Sequence, residues 1–165
     1  MSKQKIEEVI GNAYVYVEGE QKLEELENAL GFIAHLRANE IEIPDIDPAG
    51  EMFDLTYKGG HICTMELEAP GTGDTALVTF INIPGEWTKA DAQADERLKH
   101  ATWENLRGCR QDECGGDCNP GSTLTVFGKT FSNICSGSSI MFDNPSDDSL
   151  ECAKNMIDAR VKEIK

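Results

Sequence analysis

Four of the six cysteines fall within one polar stretch of the chain, at positions 109, 114, 118 and 135. Thiolates bind Zn²⁺ tetrahedrally, and two ligands a few residues apart on a turn can reach the same ion. The short gap between Cys114 and Cys118 suits such a turn, and the glycines that follow Cys114 would let the chain fold around the metal. The pattern therefore predicts a zinc site made by Cys109, Cys114, Cys118 and Cys135, although it lacks the paired C-x₂-C knuckles of zinc ribbons.

Other chemistry stays open for the same cysteines. They could be reduced and unliganded, form a disulfide or include a catalytic thiol, whereas the close spacing typical of iron–sulfur clusters is missing. The surrounding Cys/Gly-rich loop, about residues 107–123, contains few large apolar side chains. Because burial alone would not offset the entropy of ordering this loop, a bound metal would explain how it is held.

The remaining cysteines and the histidines point to packing more than to chemistry. Cys63 and Cys152 fall on apolar faces of a predicted strand and a predicted helix, where cysteine behaves as a small core residue. His35 lies beside core positions of a predicted helix. His100, nine residues before Cys109, is a candidate additional metal ligand.

No motif in the sequence identifies a reaction. The chain has no Ser/His/Asp order, no Gly-x-Ser-x-Gly elbow, and neither a His-Glu-x-x-His nor a Cys-x-x-Cys pair. Residues 45–50 match a calcium loop at its first, third and sixth positions, but Thr56 stands where the bidentate acid is required. This mismatch excludes an EF-hand site.

Helical periodicity dominates the first third of the chain. Apolar residues recur at three- and four-residue spacing from Leu23 to Leu36, which predicts a helix over about residues 20–38. Residues 6–17 also fit a helix, but Tyr14-Val15-Tyr16-Val17 alternates like a strand; we favour a helix. A further helix is predicted at about residues 90–106.

The middle of the chain changes to the two-residue period of strands. From Met52 apolar residues alternate with polar ones, and Gly59-Gly60 offers the positive φ of a tight hairpin turn. The second strand is predicted to place on one face His61, Cys63, Met65 and Leu67. With a third, more buried strand at residues 77–81, residues 53–83 are predicted to form an antiparallel meander.

The end of the chain carries the clearest local signals. Residues 139–142 indicate a short strand, Asn144 is a good N-cap and Pro145 suits the first helical position, so a helix is predicted over residues 145–163. This strand and helix should pack onto the meander. The prediction is a single α+β domain over residues 1–165, with an antiparallel β-meander and helices packed on one face.

Three stretches carry a resemblance. They are Phe53…Tyr57-Lys58-Gly59-Gly60…Cys63, then Phe142-Asp143-Asn144-Pro145 before Leu150-Glu151-Cys152-Ala153-Lys154, and the Cys-rich residues 114–121 followed by 127–135. Together they resemble small uncharacterised bacterial α+β families of unknown function, and the Cys-rich stretch is similar to a subset of these. The resemblance covers roughly the last two thirds of the chain and implies a fold but little about function, because those families have no assigned activity.

Composition disfavours several classes of partner. Thirty acidic residues against fifteen basic ones give a net charge of −15, so the chain is expected to bind neither nucleic acid nor an anionic membrane surface. The apolar runs are far too short to span a bilayer. The first residues, Met1 to Glu8, lack the apolar region of a signal peptide, which predicts a cytoplasmic protein.

The leading functional prediction is a noncatalytic cytoplasmic module that binds zinc through the cysteine cluster and holds a small molecule or a protein partner. One alternative is a small-molecule enzyme that uses a cleft between the sheet and the helices. Another is an acidic domain that binds a basic protein. For the first two, Trp87 and Trp103 could line a ligand pocket together with Tyr57, Met65 and Phe80, or they could simply fill the core.

Overall fold

The structure, a computed structural model, describes residues 3–14, 22–67, 77–110, 121–143 and 146–164. These ranges contain four α-helices: α1 (Ile6–Tyr14), α2 (Lys22–Ala38), α3 (Glu96–Glu104) and α4 (Asp147–Glu163). They also contain six strands: β1 (Met52–Tyr57), β2 (Gly60–Leu67), β3 (Leu77–Ile81), β4 (Ser122–Val126), β5 (Lys129–Ile134) and β6 (Ile140–Asp143). A 3₁₀ turn, Gly85–Thr88, follows β3. None of the described helices is both long enough and apolar enough to cross a membrane.

The strands form two antiparallel sheets. The larger has the order β1-β2-β3-β6, so the first three strands make the predicted meander and β6 adds to its β3 edge. The smaller sheet is the hairpin of β4 and β5. The predicted α+β class and the antiparallel meander are confirmed.

Alternate residues of the four-stranded sheet form one buried face. Those residues are Phe53, Leu55, Cys63, Met65, Leu67, Leu77, Thr79, Ile81, Ile140 and Phe142. Helices α1, α2 and α4 bury their apolar residues in the same cluster, including Tyr14, Phe32 and Met156. The helices therefore pack on one face of the sheet, as predicted, because that face offers a continuous apolar surface to cover.

The turn between β1 and β2 differs from the prediction by one residue. Positive φ angles occur at Lys58 (48°) and Gly59 (79°), whereas Gly60 pairs with Tyr57 as the first residue of β2. A Cβ atom on Gly60 would lie 2.7 Å from the Cδ1 atom of Ile164. Glycine thus suits the positive φ of the turn at position 59, and at position 60 it lets the Ile164 side chain approach closely.

The predicted face of β2 is wrong at His61. Leu55 pairs with Cys63 but Thr56 pairs with His61, so Ile62 is an extra residue that produces a bulge. Ile62 and Cys63 are both buried, and the His61 side chain is 46% exposed. A bulge shifts the alternation of side chains, and a period-two pattern does not anticipate it.

Two helix boundaries also differ. Helix α3 begins at Glu96, because the Asp95 side chain accepts the Leu98 N–H at 2.8 Å and caps the helix. Helix α4 begins at Asp147 with Ser146 at the N-cap position, while Asn144 and Pro145 lie outside the described residues. The helical interpretation of the first segment is confirmed over α1, and residues 15–21 are likewise outside the described ranges.

Sequence reasoning missed the β4–β5 hairpin. Its turn has positive φ at Phe127 (47°) and Gly128 (78°), and it is flanked by Thr- and Phe-containing runs. Two tryptophans dock it: the Trp103 indole N–H donates to the Val126 carbonyl at 3.0 Å, and the Trp87 and Phe127 rings lie 5.0 Å apart. These contacts favour the packing role of the tryptophans.

Candidate functional site

A strip of extended chain, residues 106–109, follows α3 and joins the two sheets. On one side, the Arg107 N–H donates to the Ser139 carbonyl at 2.8 Å. On the other side, the Cys135 N–H donates to the Arg107 carbonyl at 2.8 Å. The Cys109 N–H donates to the Asn133 carbonyl at 2.7 Å. These bonds anchor the main chain at two predicted zinc ligands, Cys109 and Cys135.

Cys109 and Cys135 occupy diagonal positions on the paired segments. Gly108 forms an antiparallel bridge with Ile134, so Cys109 lies opposite Asn133, and Cys135 lies two residues further along. In a regular antiparallel pair such diagonal neighbours are about 7–8 Å apart. A disulfide needs Cβ atoms about 3.5–4.5 Å apart, and neither cysteine forms one among the described residues.

The same separation suits two ligands of one zinc ion. Zn–S bonds of about 2.3 Å place two sulfurs of a tetrahedral site about 3.8 Å apart. Since each sulfur extends one bond beyond its Cβ atom, two cysteines at diagonal positions can turn their sulfurs toward a common ion. Cys109 and Cys135 are both only partly buried, which leaves a metal a path from solvent.

The loop that leaves after Cys109 returns to the same place at Gly121. A Cβ atom on Gly121 would lie 2.6 Å from the Cys109 Cβ and 2.8 Å from the main-chain carbonyl carbon of Asn133, closer than real Cβ atoms approach other atoms. The Gly121 N–H donates to the Asn133 Oδ1 atom at 3.0 Å. We call this contact between Cys109, Gly121 and Asn133 the neck.

Cys114 and Cys118, the other two predicted ligands, lie outside the described residues. Their part in a zinc site stays a prediction.

Cys63 and Cys152 are buried core residues, as predicted. Burial raises the pKa of the Cys63 thiol well above its ordinary value and raises the pKa of Cys152 to about 11. The Cys152 sulfur also lies 3.4 Å from the Thr102 hydroxyl. Because low-dielectric surroundings disfavour the thiolate, neither residue is suited to bind a metal or to act as a nucleophile.

The three histidines have partners of other kinds. His35 lies 2.8 Å from Asp158 and so links α2 to α4. The His61 ring is 3.1 Å from the Thr64 hydroxyl, and the His100 ring packs edge-on against Trp103 with centroids 5.4 Å apart. Across the five described ranges no three His, Cys, Asp or Glu side chains are grouped to hold a metal ion. The role of His100 as an additional ligand stays a prediction.

A shallow groove of about 220 Å³ opens beside Cys135. One wall is polar: the Ser139 N–H donates to the Asn82 Oδ1 atom at 3.2 Å, and the Ser139 hydroxyl accepts the Ile83 N–H at 2.8 Å. Leu124 adds apolar surface on the hairpin side. The groove is smaller than the roughly 300–1,000 Å³ typical of sites for drug-sized ligands.

A second cavity, of about 180 Å³, lies between α3 and α4. Asp95, Glu151 and Asn155 line it, and an ion pair between Arg97 and Asp148 borders it. Both members of that pair are largely exposed, so the pair itself contributes little to stability. Among the described residues, no aromatic side chain lines this cavity or the groove beside Cys135.

Comparisons with known proteins leave the site to be interpreted from its geometry. No family model, curated protein or solved structure matches the chain. The resemblance to uncharacterised bacterial α+β families therefore stays a prediction.

Sequence reasoning did not identify Gly121 and Asn133 as part of the site. Gly121 belongs to a loop rich in glycine, where one more glycine carries no particular signal. Asn133 has a φ of 59°, and the tolerance of asparagine for this conformation was the only available hint. Their role arises from contacts between distant parts of the chain.

Proposed function

We propose that this protein is a noncatalytic module that binds one zinc ion through Cys109, Cys114, Cys118 and Cys135. The supporting observation is the placement of Cys109 and Cys135 at diagonal positions beside the neck, where the cysteine-containing loop begins and ends. Four thiolates make a closed tetrahedral site, which is the arrangement of structural zinc centres. A reducing compartment such as the cytoplasm would keep these thiols available for the metal.

The metal would stabilise the chain by closing cross-links within the loop. Residues between Cys109 and Gly121 include many polar and glycine residues, so apolar burial supplies little energy to order them. Zinc–thiolate bonds supply that energy instead, and the apparent binding free energy becomes folding free energy of the loop. The net charge of −15 also favours the approach of a cation.

Metal content tests the proposal directly. Protein purified under reducing conditions without chelator is expected to contain one zinc per chain by elemental analysis. Cobalt substitution should give the intense thiolate-to-metal absorption of a four-sulfur site. Removing the metal with a chelator should lower the melting temperature, because a ligand bound only to the folded state stabilises it.

Single substitutions distinguish the proposed zinc ligands from the other cysteines of the chain. Cys109→Ser and Cys135→Ser should each lower zinc affinity at least tenfold, whereas Cys63→Ala, which removes a buried thiol elsewhere, should retain stoichiometric zinc. The proposal fails if the reduced wild-type protein takes up no stoichiometric zinc and its melting is unchanged by chelator.

The groove beside Cys135 supports a second candidate, a small-molecule enzyme or binder in which the Cys135 thiol faces the ligand. Its polar wall at Asn82 and Ser139 and its apolar side at Leu124 offer both kinds of contact. A fragment screen by NMR on metal-free protein would test this candidate. Shifts confined to the Ile83 and Ser139 amides would favour it, and the lack of any fragment binding there would argue against it.

A further inference from the structure

Asn133 has a main-chain conformation that few residues tolerate. Its φ of 59° lies in the left-handed region, where asparagine is several-fold enriched over most non-glycine residues. It also lies at an irregularity of the hairpin, because Ser122 pairs with Ile134 but Leu124 pairs with Phe131, which leaves one extra residue on β5. Bulges of this kind redirect a side chain away from the regular alternation of the strand.

The redirected side chain contacts both ends of the cysteine-containing loop. The Asn133 Oδ1 atom accepts the Gly121 N–H at 3.0 Å, and its Nδ2 atom makes a longer contact of 3.5 Å with the Cys109 carbonyl. Since a main-chain N–H can only donate, the Gly121 contact fixes which atom of the amide is the oxygen. The Asn133 main-chain carbonyl accepts the Cys109 N–H as well.

We propose that Asn133 is a positioning residue that holds Cys109 beside Cys135 in the metal-free protein. The hydrogen bonds of Asn133 join protein residues only, so no metal is needed to form them. The consequence for zinc rests on the proposed function: a ligand held in place before binding loses less conformational entropy when the metal arrives. Outer-shell partners of this kind typically change metal affinity by about 10–100-fold.

A thiol-bridging experiment tests the positioning without metal. In a Cys114→Ser/Cys118→Ser background, Cys109 and Cys135 are the two remaining cysteines that are not buried. A short bifunctional thiol reagent such as dibromobimane should bridge them in the folded, chelator-treated protein. Adding Asn133→Gly, which keeps the positive φ but removes the amide, should lower the bridging yield several-fold.

The control is Ser132→Gly, which introduces the same main-chain flexibility at the neighbouring residue of β5 and should leave the yield unchanged. Circular dichroism and melting of each metal-free variant will establish that the compared proteins are folded. If the Asn133→Gly protein does not fold, Asn133→Asp gives the comparison, because aspartate tolerates the left-handed conformation but has no N–H to donate to the Cys109 carbonyl. Equal bridging with and without the asparagine amide would overturn the proposal.

Zinc affinity provides the second readout, measured on the otherwise wild-type chain by competition with a chromophoric chelator. Asn133→Gly should weaken zinc binding about tenfold, and Ser132→Gly should not. If Asn133→Gly binds zinc with unchanged affinity and is bridged in unchanged yield, the positioning role is rejected and the proposed function stays intact. A lack of zinc binding together with Asn133-dependent bridging would reject the proposed function and leave the positioning role intact.

Discussion

At Gly121 the main chain approaches both the strip that follows α3 and the end of β5. A Cβ atom there would lie 2.6 Å from the Cys109 Cβ and 2.8 Å from the Ile134 carbonyl oxygen. Two of the three nearest atoms belong to main chain, which cannot move aside as the end of a flexible side chain can. The contact between the two ends of the loop therefore depends on the absence of a side chain at this single position.

Gly121→Ala is expected to destabilise the protein by about 1–3 kcal/mol, the usual cost of inserting a methyl group into a packed site. Gly108→Ala is the matched control, because a Cβ atom there would lie 3.9 Å from the Asn133 carbonyl oxygen, an ordinary contact distance. Urea denaturation of the metal-free proteins measures both changes. If Gly121→Ala leaves the midpoint of urea denaturation unchanged, the neck is not tightly packed.

Thiol reactivity should divide the cysteines by burial. Burial raises the pKa of both Cys63 and Cys152, so at pH 8 their thiols are protonated and inaccessible in the folded protein. Their alkylation requires opening of the core, which for a stability of about 5 kcal/mol slows it by at least about a thousandfold. Mass spectrometry of reduced, metal-free protein labelled with iodoacetamide should show Cys135 modified before Cys63 and Cys152, and rapid labelling of Cys63 would contradict the structure.

At the scale of elements, the β4–β5 hairpin positions one side of the neck, because that side belongs to β5. The hairpin is attached to the rest of the protein through Trp103, through Trp87 and through the strip that follows α3. The Lys129 ammonium adds a cation–π contact 5.0 Å from the Trp103 ring centroid. Loosening this attachment should affect the hairpin more than the four-stranded sheet, because the sheet has its own buried face.

Trp103→Phe tests this attachment by removing the indole N–H that donates to the Val126 carbonyl. The loss of this hydrogen bond and the smaller ring should cost at least about 1 kcal/mol. Hydrogen exchange should become faster for β4 and β5 amides and should change little for β2 and β3. Trp87→Phe is the control, because it makes a similar volume change but removes no hydrogen bond that the structure describes for the Trp87 indole. Uniform acceleration across both sheets would show that the hairpin does not open separately.

At the scale of the whole molecule, charge sets the class of partner. The thirty acidic residues exceed the fifteen basic ones twofold, and several described basic side chains are already paired with acids. The Arg37 guanidinium, for example, contacts Glu7 between α2 and α1 and lowers the pKa of that carboxyl. Such pairing reduces the positive surface available for phosphates, and a basic protein partner for the acidic surface stays a prediction.

The chain is expected to show no salt-sensitive binding to DNA or RNA. Phosphate contacts need clustered Lys and Arg, and the overall field of this protein repels polyanions. Fluorescence anisotropy with a labelled duplex and a labelled single strand at low and physiological salt measures this. The control is a poly-lysine-tagged form of the same protein, which should bind in the same assay. Micromolar binding by the untagged chain that weakens with salt would contradict the prediction.

The sequence by itself determined the elements whose signals are local. The apolar spacing in α2 and α4 and the alternation in β1 predicted helix and strand, because each pattern repeats within one turn or one strand. The same local signals placed Cys63 and Cys152 in the core, and burial confirms them there. The net charge is likewise a property of composition alone.

Only the tertiary structure decided which distant residues meet. The bulge at Ile62 exposes the His61 side chain, and the bulge near Asn133 directs the Asn133 side-chain amide toward Gly121. Neither bulge can be recognised from the periodicity of the sequence. Cys109 and Cys135 are 26 residues apart in the chain and become neighbours because the strip after α3 pairs with the end of β5. Cysteine content therefore predicted thiolate chemistry, whereas strand pairing determined which two cysteines the described chain places at diagonal positions.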